Sequence, residues 1–147
     1  MSAPYQALTI AQWFINRAYM DVDDGGEMMT HWKLENYLFF AQGCFCAMTG
    51  NALFDEEIYA CRRGAAISSV YNMYNDYGAN SIKETAPVEI DKDTEKILKG
   101  VYRIFSRFSA LYLSMMVRKG SPWSETEIGS EFPRDAITEF CRKNYID

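Results

Sequence analysis

The most apolar helical segment of the chain is Thr30-His-Trp-Lys-Leu-Glu-Asn-Tyr-Leu-Phe-Phe-Ala-Gln-Gly-Cys-Phe-Cys-Ala-Met-Thr-Gly50. Its apolar residues recur at intervals of three and four, which is the spacing of a helix face that packs against a core. Thr30 can cap the first turn of this helix, and Gly50 can end it. Phe39, Phe40 and Cys44 lie off that face, so apolar residues cover more than half of the circumference. We therefore expect the central helix of the domain here, with an inward face of Leu34, Tyr37, Leu38, Ala41, Phe45 and Met48.

The segments on either side of this stretch predict a shorter helix and a short extended insert. Before it, Thr9 and Gln12 have the form of a capping box, which predicts a helix from about residue 9 to Met20. After it, Ile58 and Ala60 alternate with more polar neighbours, so an extended segment or hairpin is expected there. The turn of that insert is Arg62-Arg-Gly64, and a short helix follows from Ser68 or Ser69.

The second half of the chain carries the longest helical pattern. Apolar residues keep helical spacing from Ile97 to Met115, after possible caps at Asp91 and Asp93, which predicts one helix that ends near Lys119. At 1.5 Å per residue this helix would be about 40 Å long. Phe132-Pro133 then begins the last predicted helix. The expected fold is therefore mainly α, a compact bundle of about five to six helices with a short extended or hairpin insert after the central helix, in one domain over residues 1–147.

Composition limits the functional classes. The 147 residues carry a net charge of −5, which argues against direct nucleic-acid binding because phosphate contacts need a cationic field. The beginning of the chain lacks the pattern of a secretory signal, and the central helix is too short and interrupted to span a bilayer. We interpret the four cysteines as reduced residues of a cytoplasmic protein. They are Cys44, Cys46, Cys61 and Cys141.

Catalytic, metal and cofactor motifs are poorly supported. His31 is the only histidine and has no fixed nucleophile beside it in the sequence. Cys44-x-Cys46 lacks the second pair that a zinc site needs, and no phosphate-binding glycine motif occurs. The acidic clusters at 21–27 and 55–57 are interpreted as exposed loops, with paired-carboxylate hydrolysis as the weakest alternative. We therefore expect no enzyme activity, no metal and no cofactor.

A basic stripe has two possible interpretations. Its residues lie three or four positions apart, so they share one face of the predicted long helix. One interpretation is a solvated face opposite the core, and the other is a docking surface for an acidic protein or RNA. The residues are Lys96, Lys99, Arg103 and Arg107.

Taken together, the order of these features resembles the Panacea domain family, also called SocA-like or phage-associated, which is found in bacterial and phage antitoxins. The resemblance runs from about Leu8 to Tyr145 and is carried by order and spacing more than by any single motif. The segments that carry it are Ile10-Ala-Gln-Trp-Phe-Ile15, Lys33-Leu-Glu-Asn-Tyr-Leu-Phe-Phe40, Gly50-Asn-Ala-Leu-Phe54, Tyr59-Ala-Cys-Arg-Arg-Gly-Ala-Ala-Ile-Ser-Ser-Val-Tyr71 and Pro122-Trp123.

This chain departs from the family pattern at three places. Cys61 stands where the family usually has Trp, Gly64-Ala-Ala66 replaces Gly-Pro-Val, and Arg118 lies near the expected His. Loss of a large aromatic wall changes a recognition surface. We therefore expect the fold to carry over better than the identity of the partner.

The resemblance implies a non-catalytic module, an antitoxin that neutralises a partner protein by direct binding. An alternative use of the same scaffold is a phage or mobile-element inhibitor of a host defence nuclease, for example an anti-CRISPR-type protein. Aromatic residues and arginines carry most interface energy, which selects the expected contacts. The predicted partner-binding residues are Tyr59, Cys61, Arg62, Arg63, Tyr71, Tyr74 and Trp123. The oligomeric state stays open.

Overall fold

The computed structural model of the protein describes residues 2–146, and the segment 30–50 forms its central helix. The mainly helical fold with a hairpin after the central helix is confirmed. The described chain has seven α-helices, because the longest predicted helix is divided and a four-residue helix follows it. The elements are α1 (Ala7–Met20), α2 (His31–Thr49), β1 (Tyr59–Cys61), β2 (Gly64–Ala66), α3 (Ser68–Tyr74), α4 (Lys92–Phe105), α5 (Ala110–Lys119), α6 (Ser121–Ser124) and α7 (Arg134–Tyr145).

Helix α2 is enclosed on all sides. Every residue from 33 to 46 is buried, including polar ones, so the whole circumference and not one face contacts other elements. Met48, which we placed on the inward face, is 56% exposed because it lies in the last turn, beyond the enclosed part. The helix ends before Gly50, as the sequence predicts. None of the helices within residues 2–146 is long and apolar enough to cross a membrane.

Helix α7 packs closely against α2. A Cβ at Gly43 would overlap Cys141 Sγ, so only glycine allows the two helices to approach this far. Edge-to-face aromatic pairs lie beside this contact: Phe39 with Phe140 at 6.2 Å between ring centroids, and Phe40 with Tyr145 at 5.4 Å. Aromatic pairs of this kind stabilise a core beyond the area that they bury.

Helix α1 begins earlier than its sequence predicts. It starts at Ala7, so the predicted capping box at Thr9 and Gln12 is wrong. The cap comes from elsewhere in the chain, because a Glu56 carboxylate oxygen accepts the Ala7 N–H at 2.7 Å. A cap supplied from far along the chain leaves no local pattern at residues 7–12.

The single long helix predicted to end near Lys119 is wrong. The chain leaves the helix after Phe105 and starts a new one at Ala110. The Ser109 hydroxyl accepts the Tyr112 N–H at 3.1 Å and so caps α5. The sequence pattern does not show this break, because apolar residues keep helical spacing across it. Leu111, just after the break, is 67% exposed.

The hairpin forms where the sequence predicts an extended insert. Strands β1 and β2 are antiparallel, with Tyr59 opposite Ala66, and residues 62–63 form the turn. The other edge of β1 bonds to the segment before α7, where the Ala60 N–H donates to the Ser130 carbonyl at 2.9 Å. Strand β1 is therefore hydrogen-bonded along both of its edges.

Candidate partner-binding site

Asn36 of α2 holds the turn of the hairpin from below. Its side-chain N–H donates to the Arg63 carbonyl at 3.2 Å, and its Oδ1 accepts the Ala65 N–H at 3.1 Å. Asn36 is itself buried, so this pair of bonds is protected from water. The backbone on both sides of the turn is thus tied to the central helix.

Gly64 is needed at the end of the turn for two reasons. Its φ of +118° is a conformation that L side chains rarely adopt. A Cβ at this position would also lie 2.5 Å from Asn36 Oδ1. The glycine therefore allows both the turn and the close approach of the asparagine that holds it.

Glu35 binds the backbone at the end of the hairpin and also contacts His31, the only histidine in the sequence. Its Oε1 accepts the Ile67 N–H at 2.7 Å. Its Oε2 lies 2.7 Å from His31 Nε2, and both side chains are buried. The His31 ring also packs against Tyr71, with 5.5 Å between ring centroids. The histidine therefore belongs to the support of the hairpin.

Trp123 supports the hairpin on its other side. Its indole N–H donates to the Cys61 carbonyl at 2.8 Å. Trp123 is half-buried and follows the buried Pro122 in α6. Because Cys61 directly precedes the arginine pair, this bond and those of Asn36 hold the turn from both ends.

Arg63 is stacked on an aromatic ring at the surface. Its guanidinium carbon lies 3.1 Å from the centroid of Trp32, which is 38% exposed. A stacked guanidinium uses its face against the ring and keeps its in-plane N–H groups available for an acceptor. None of those groups has a hydrogen bond or ion pair within residues 2–146.

The arginines converge on a cavity of about 400 Å³, which we call the arginine cavity. Among residues 2–146, no aspartate or glutamate contributes to its lining. Arg118 is held there by a bond from its Nε to the Ser114 hydroxyl at 3.1 Å. The lining residues are Thr30, Trp32, Arg62, Arg63, Gly78, Ala79, Ala110, Leu111, Ser114 and Arg118.

A smaller cavity of about 90 Å³ adjoins it and shares Trp32 and Arg63. We call it the histidine cavity. Burial raises the pKa of the Cys61 thiol in its wall, so this thiol is not activated as a nucleophile. The lining residues are His31, Trp32, Glu35, Asn36, Cys61, Arg63, Ala65, Ala66 and Tyr71.

The structure brings together some of the predicted contact residues and separates others. Cys61 and Tyr71 line the histidine cavity, Arg62 lines the arginine cavity, and Arg63 lines both. Tyr71 is 49% exposed. This group defines one continuous face, formed by the turn and its surroundings.

The remaining predicted contact residues lie elsewhere. Trp123 supports the turn from behind, as described above. Tyr59 lines a different cavity beside Glu57, which accepts its hydroxyl. Tyr74 is buried and packs against Tyr77, with 6.1 Å between ring centroids, and lines neither the arginine cavity nor the histidine cavity.

The acidic cluster, Asp55, Glu56 and Glu57, has bonds within the chain. In addition to capping α1, Glu56 accepts a bond from the Ser69 hydroxyl at 2.6 Å. Together with the Tyr59 bond to Glu57, this gives two of the three carboxylates hydrogen-bond partners within the protein. Its role in the structure is to connect α1, β1 and α3.

The predicted basic stripe is divided. Lys96, Lys99 and Arg103 are exposed on α4, but Arg107 lies beyond the end of that helix. A continuous stripe on one helix is therefore wrong, because the chain breaks before Arg107. Lys99 Nζ also lies 3.7 Å from the carboxylate of Glu95 one turn away.

Comparison with known families assigns the chain. A family model described as antitoxin SocA-like, Panacea domain, matches residues 34–124, more than half of the chain. The chain belongs to this antitoxin-like family. The comparisons with curated proteins and with solved structures each found no match. The Panacea match includes most of α2, the hairpin and α5, and therefore both cavities apart from their residues at 30–32.

The positions at which the resemblance predicts a departure from the family pattern lie at the two cavities of this Panacea domain. Cys61, Ala65 and Ala66 line the histidine cavity, and Arg118 lines the arginine cavity. These positions thus surround the hairpin turn, while Asn36 of the central helix and Trp123 support the turn.

Sequence reasoning missed three contributors to this face. Trp32 and Asn36 lie inside the predicted central helix, Leu111 lies within the apolar run from Ile97 to Met115, and none of the three was predicted as a site residue. The one available signal was polarity: Glu35, Asn36 and Gln42 interrupt an otherwise apolar helix. Gln42 likewise holds backbone, since its amide donates to the Phe54 carbonyl at 2.7 Å.

Proposed function

We propose that this chain is an antitoxin-like protein that neutralises a partner protein by direct binding, without chemistry of its own. The partner docks on the face that surrounds the hairpin turn. The proposed contacts are Trp32, Arg62, Arg63, Tyr71, Leu111 and Arg118.

One observation carries this proposal: arginines and an exposed tryptophan sit on a rigid support without acidic partners in the lining of the cavity. Tryptophan, tyrosine and arginine are the residues most enriched at the energetic centres of protein interfaces. Rigid support lowers the entropy that is lost on binding. Membership of an antitoxin-like family supports a protein as the occupant.

The direct test is co-expression with the product of the neighbouring reading frame in a bacterial host. We expect that this product alone arrests growth, that the wild-type chain restores growth, and that the two proteins purify as a stoichiometric complex. Replacing Arg62 and Arg63 by Ala should abolish or weaken the complex, because both lie on the proposed face.

A matched control is the double variant Lys96→Ala and Lys99→Ala, which removes the same charge from exposed positions on α4. It should rescue growth like the wild type. Growth rescue without a complex, or a complex that forms without rescue, would contradict neutralisation by direct binding.

A further inference from the structure

The arginine cavity is lined by positive charges that have no acidic partner in the described chain. The full sequence carries a net charge of −5, yet three arginines line this one cavity and no carboxylate of residues 2–146 does. Neither Arg62 nor Arg63 forms a side-chain hydrogen bond or ion pair with another described residue. Arg118 uses its Nε on Ser114 and has no acidic partner in residues 2–146.

These guanidinium groups are positioned before any partner arrives. Arg63 is stacked on Trp32, and its backbone is tied to Asn36. Arg118 is held by Ser114, one turn earlier on α5. Planar guanidinium groups bind carboxylates through paired N–H groups, with strength and geometry that lysine does not provide.

The rim of the cavity is apolar on the side of α5. Leu111 is 67% exposed and lines the cavity together with Ala110. An occupant that satisfied only the charges would leave this surface uncovered. The lining therefore favours a ligand that carries acidic and apolar side chains close together.

We infer that the arginine cavity binds a segment of the partner protein in which Asp or Glu side chains stand next to apolar residues. This inference rests on the proposed function and specifies the chemistry of the partner. The carboxylates pair with Arg62, Arg63 and Arg118, and the apolar neighbours cover Leu111 and the edge of Trp32.

A protein segment fits better than a nucleic acid. A nucleic-acid surface needs a cationic field over many phosphates, whereas this chain is acidic overall and only three arginines line this cavity. A second copy of the chain is a further possible occupant, since residues 21–27 are an acidic loop. Both are outcomes of the test.

The test is a selection from a displayed library of random peptides on immobilised wild-type protein. We expect the enriched peptides to contain acidic residues beside apolar ones. Their affinity should fall about tenfold or more for the triple variant Arg62→Ala, Arg63→Ala and Arg118→Ala. It should stay within about twofold for the control Lys96→Ala, Lys99→Ala and Arg103→Ala, and it should weaken as salt is added.

Four results would overturn the inference. The first three are no acidic enrichment, equal losses in the two triple variants, and a single-stranded RNA that binds at the same arginines in place of peptide. Self-association that disappears in the arginine variant would also overturn it, in favour of a second copy. If the triple variant does not fold by circular dichroism, the single variant Arg62→Glu replaces it.

The co-expression assay separates this inference from the proposed function. A neutralising complex that forms equally well with the arginine variant overturns the inference and leaves the proposed function standing. The absence of any rescue or complex with the wild type overturns the proposed function itself.

Discussion

The acidic cluster at residues 55–57 and the arginine cavity are both groups of like charge beside the hairpin, and they differ in where their bonds go. Glu56 caps α1 and binds Ser69, and Glu57 binds Tyr59. The three arginines that line the arginine cavity form no ion pair within the described residues 2–146. We infer from this difference that a cluster of like charges indicates a binding surface only where its charged groups have no ion-pair partners within the protein.

We expect the largest loss of stability at Asn36, the buried side chain that supports the turn. Asn36→Ala removes both bonds to the turn and leaves the buried Ala65 N–H without a partner. We expect the free energy of unfolding to fall by about 2–3 kcal/mol, measured by urea denaturation. Asn72→Ala, at an exposed position of α3, is the control and should change it by at most about 0.5 kcal/mol. Equal losses in the two variants would remove the assigned role of Asn36.

The acidic cluster should come next. Glu56→Ala removes the acceptor of the Ala7 N–H and of the Ser69 hydroxyl, so we expect a loss of about 2 kcal/mol in the same assay. Glu57→Ala should cost at most about 0.5 kcal/mol, because its bond to Tyr59 is exposed to water. If Glu56→Ala leaves the free energy of unfolding unchanged, the cluster does not stabilise the contacts between α1, β1 and α3.

The break between α4 and α5 gives a smaller effect. Ser109→Ala removes the side-chain cap of α5, and a lost cap of this kind costs about 1 kcal/mol. Because α5 carries Leu111 and Arg118, fraying of its first turn should also weaken partner binding. Ser106→Ala, which removes no side-chain hydrogen bond, is the control in both measurements. An unchanged melting temperature for Ser109→Ala would contradict the capping role.

The smallest effect on folding is expected at the arginine cavity. Arg62→Ala removes no bond within the described chain, so the free energy of unfolding should change by at most about 0.5 kcal/mol. A loss of about 2 kcal/mol would show that Arg62 is a structural residue, and the contrast between the two clusters would fail.

The sequence predicts the architecture well because α2 is long and strongly apolar. The hairpin and its turn also follow from local signals, the alternation around Ile58 and the glycine after the arginine pair. The division between α4 and α5 could not be predicted, since apolar spacing continues across a break that a serine cap produces. Local patterns also missed the cap of α1, which comes from Glu56 far along the chain.

The candidate site could be predicted only in part. The Arg62–Arg63 turn and Tyr71 were selected from residue type and position, and the structure places them on one face. Trp32, Leu111 and the role of Asn36 depend on how α2, the hairpin and α5 meet, which no local pattern shows. Tyr74 was selected as an aromatic contact, but it is buried.

The three arginines that line the arginine cavity, which have no ion pair within residues 2–146, are proposed to form the recognition surface. The most direct measurement is the dissociation constant of the complex with the neutralised partner, for the wild type, the arginine triple variant and the α4 triple variant. We predict a rise of about tenfold or more for the arginine variant and less than about twofold for the α4 variant. Unchanged affinity in the arginine variant, or a larger loss in the α4 variant, would contradict the claim.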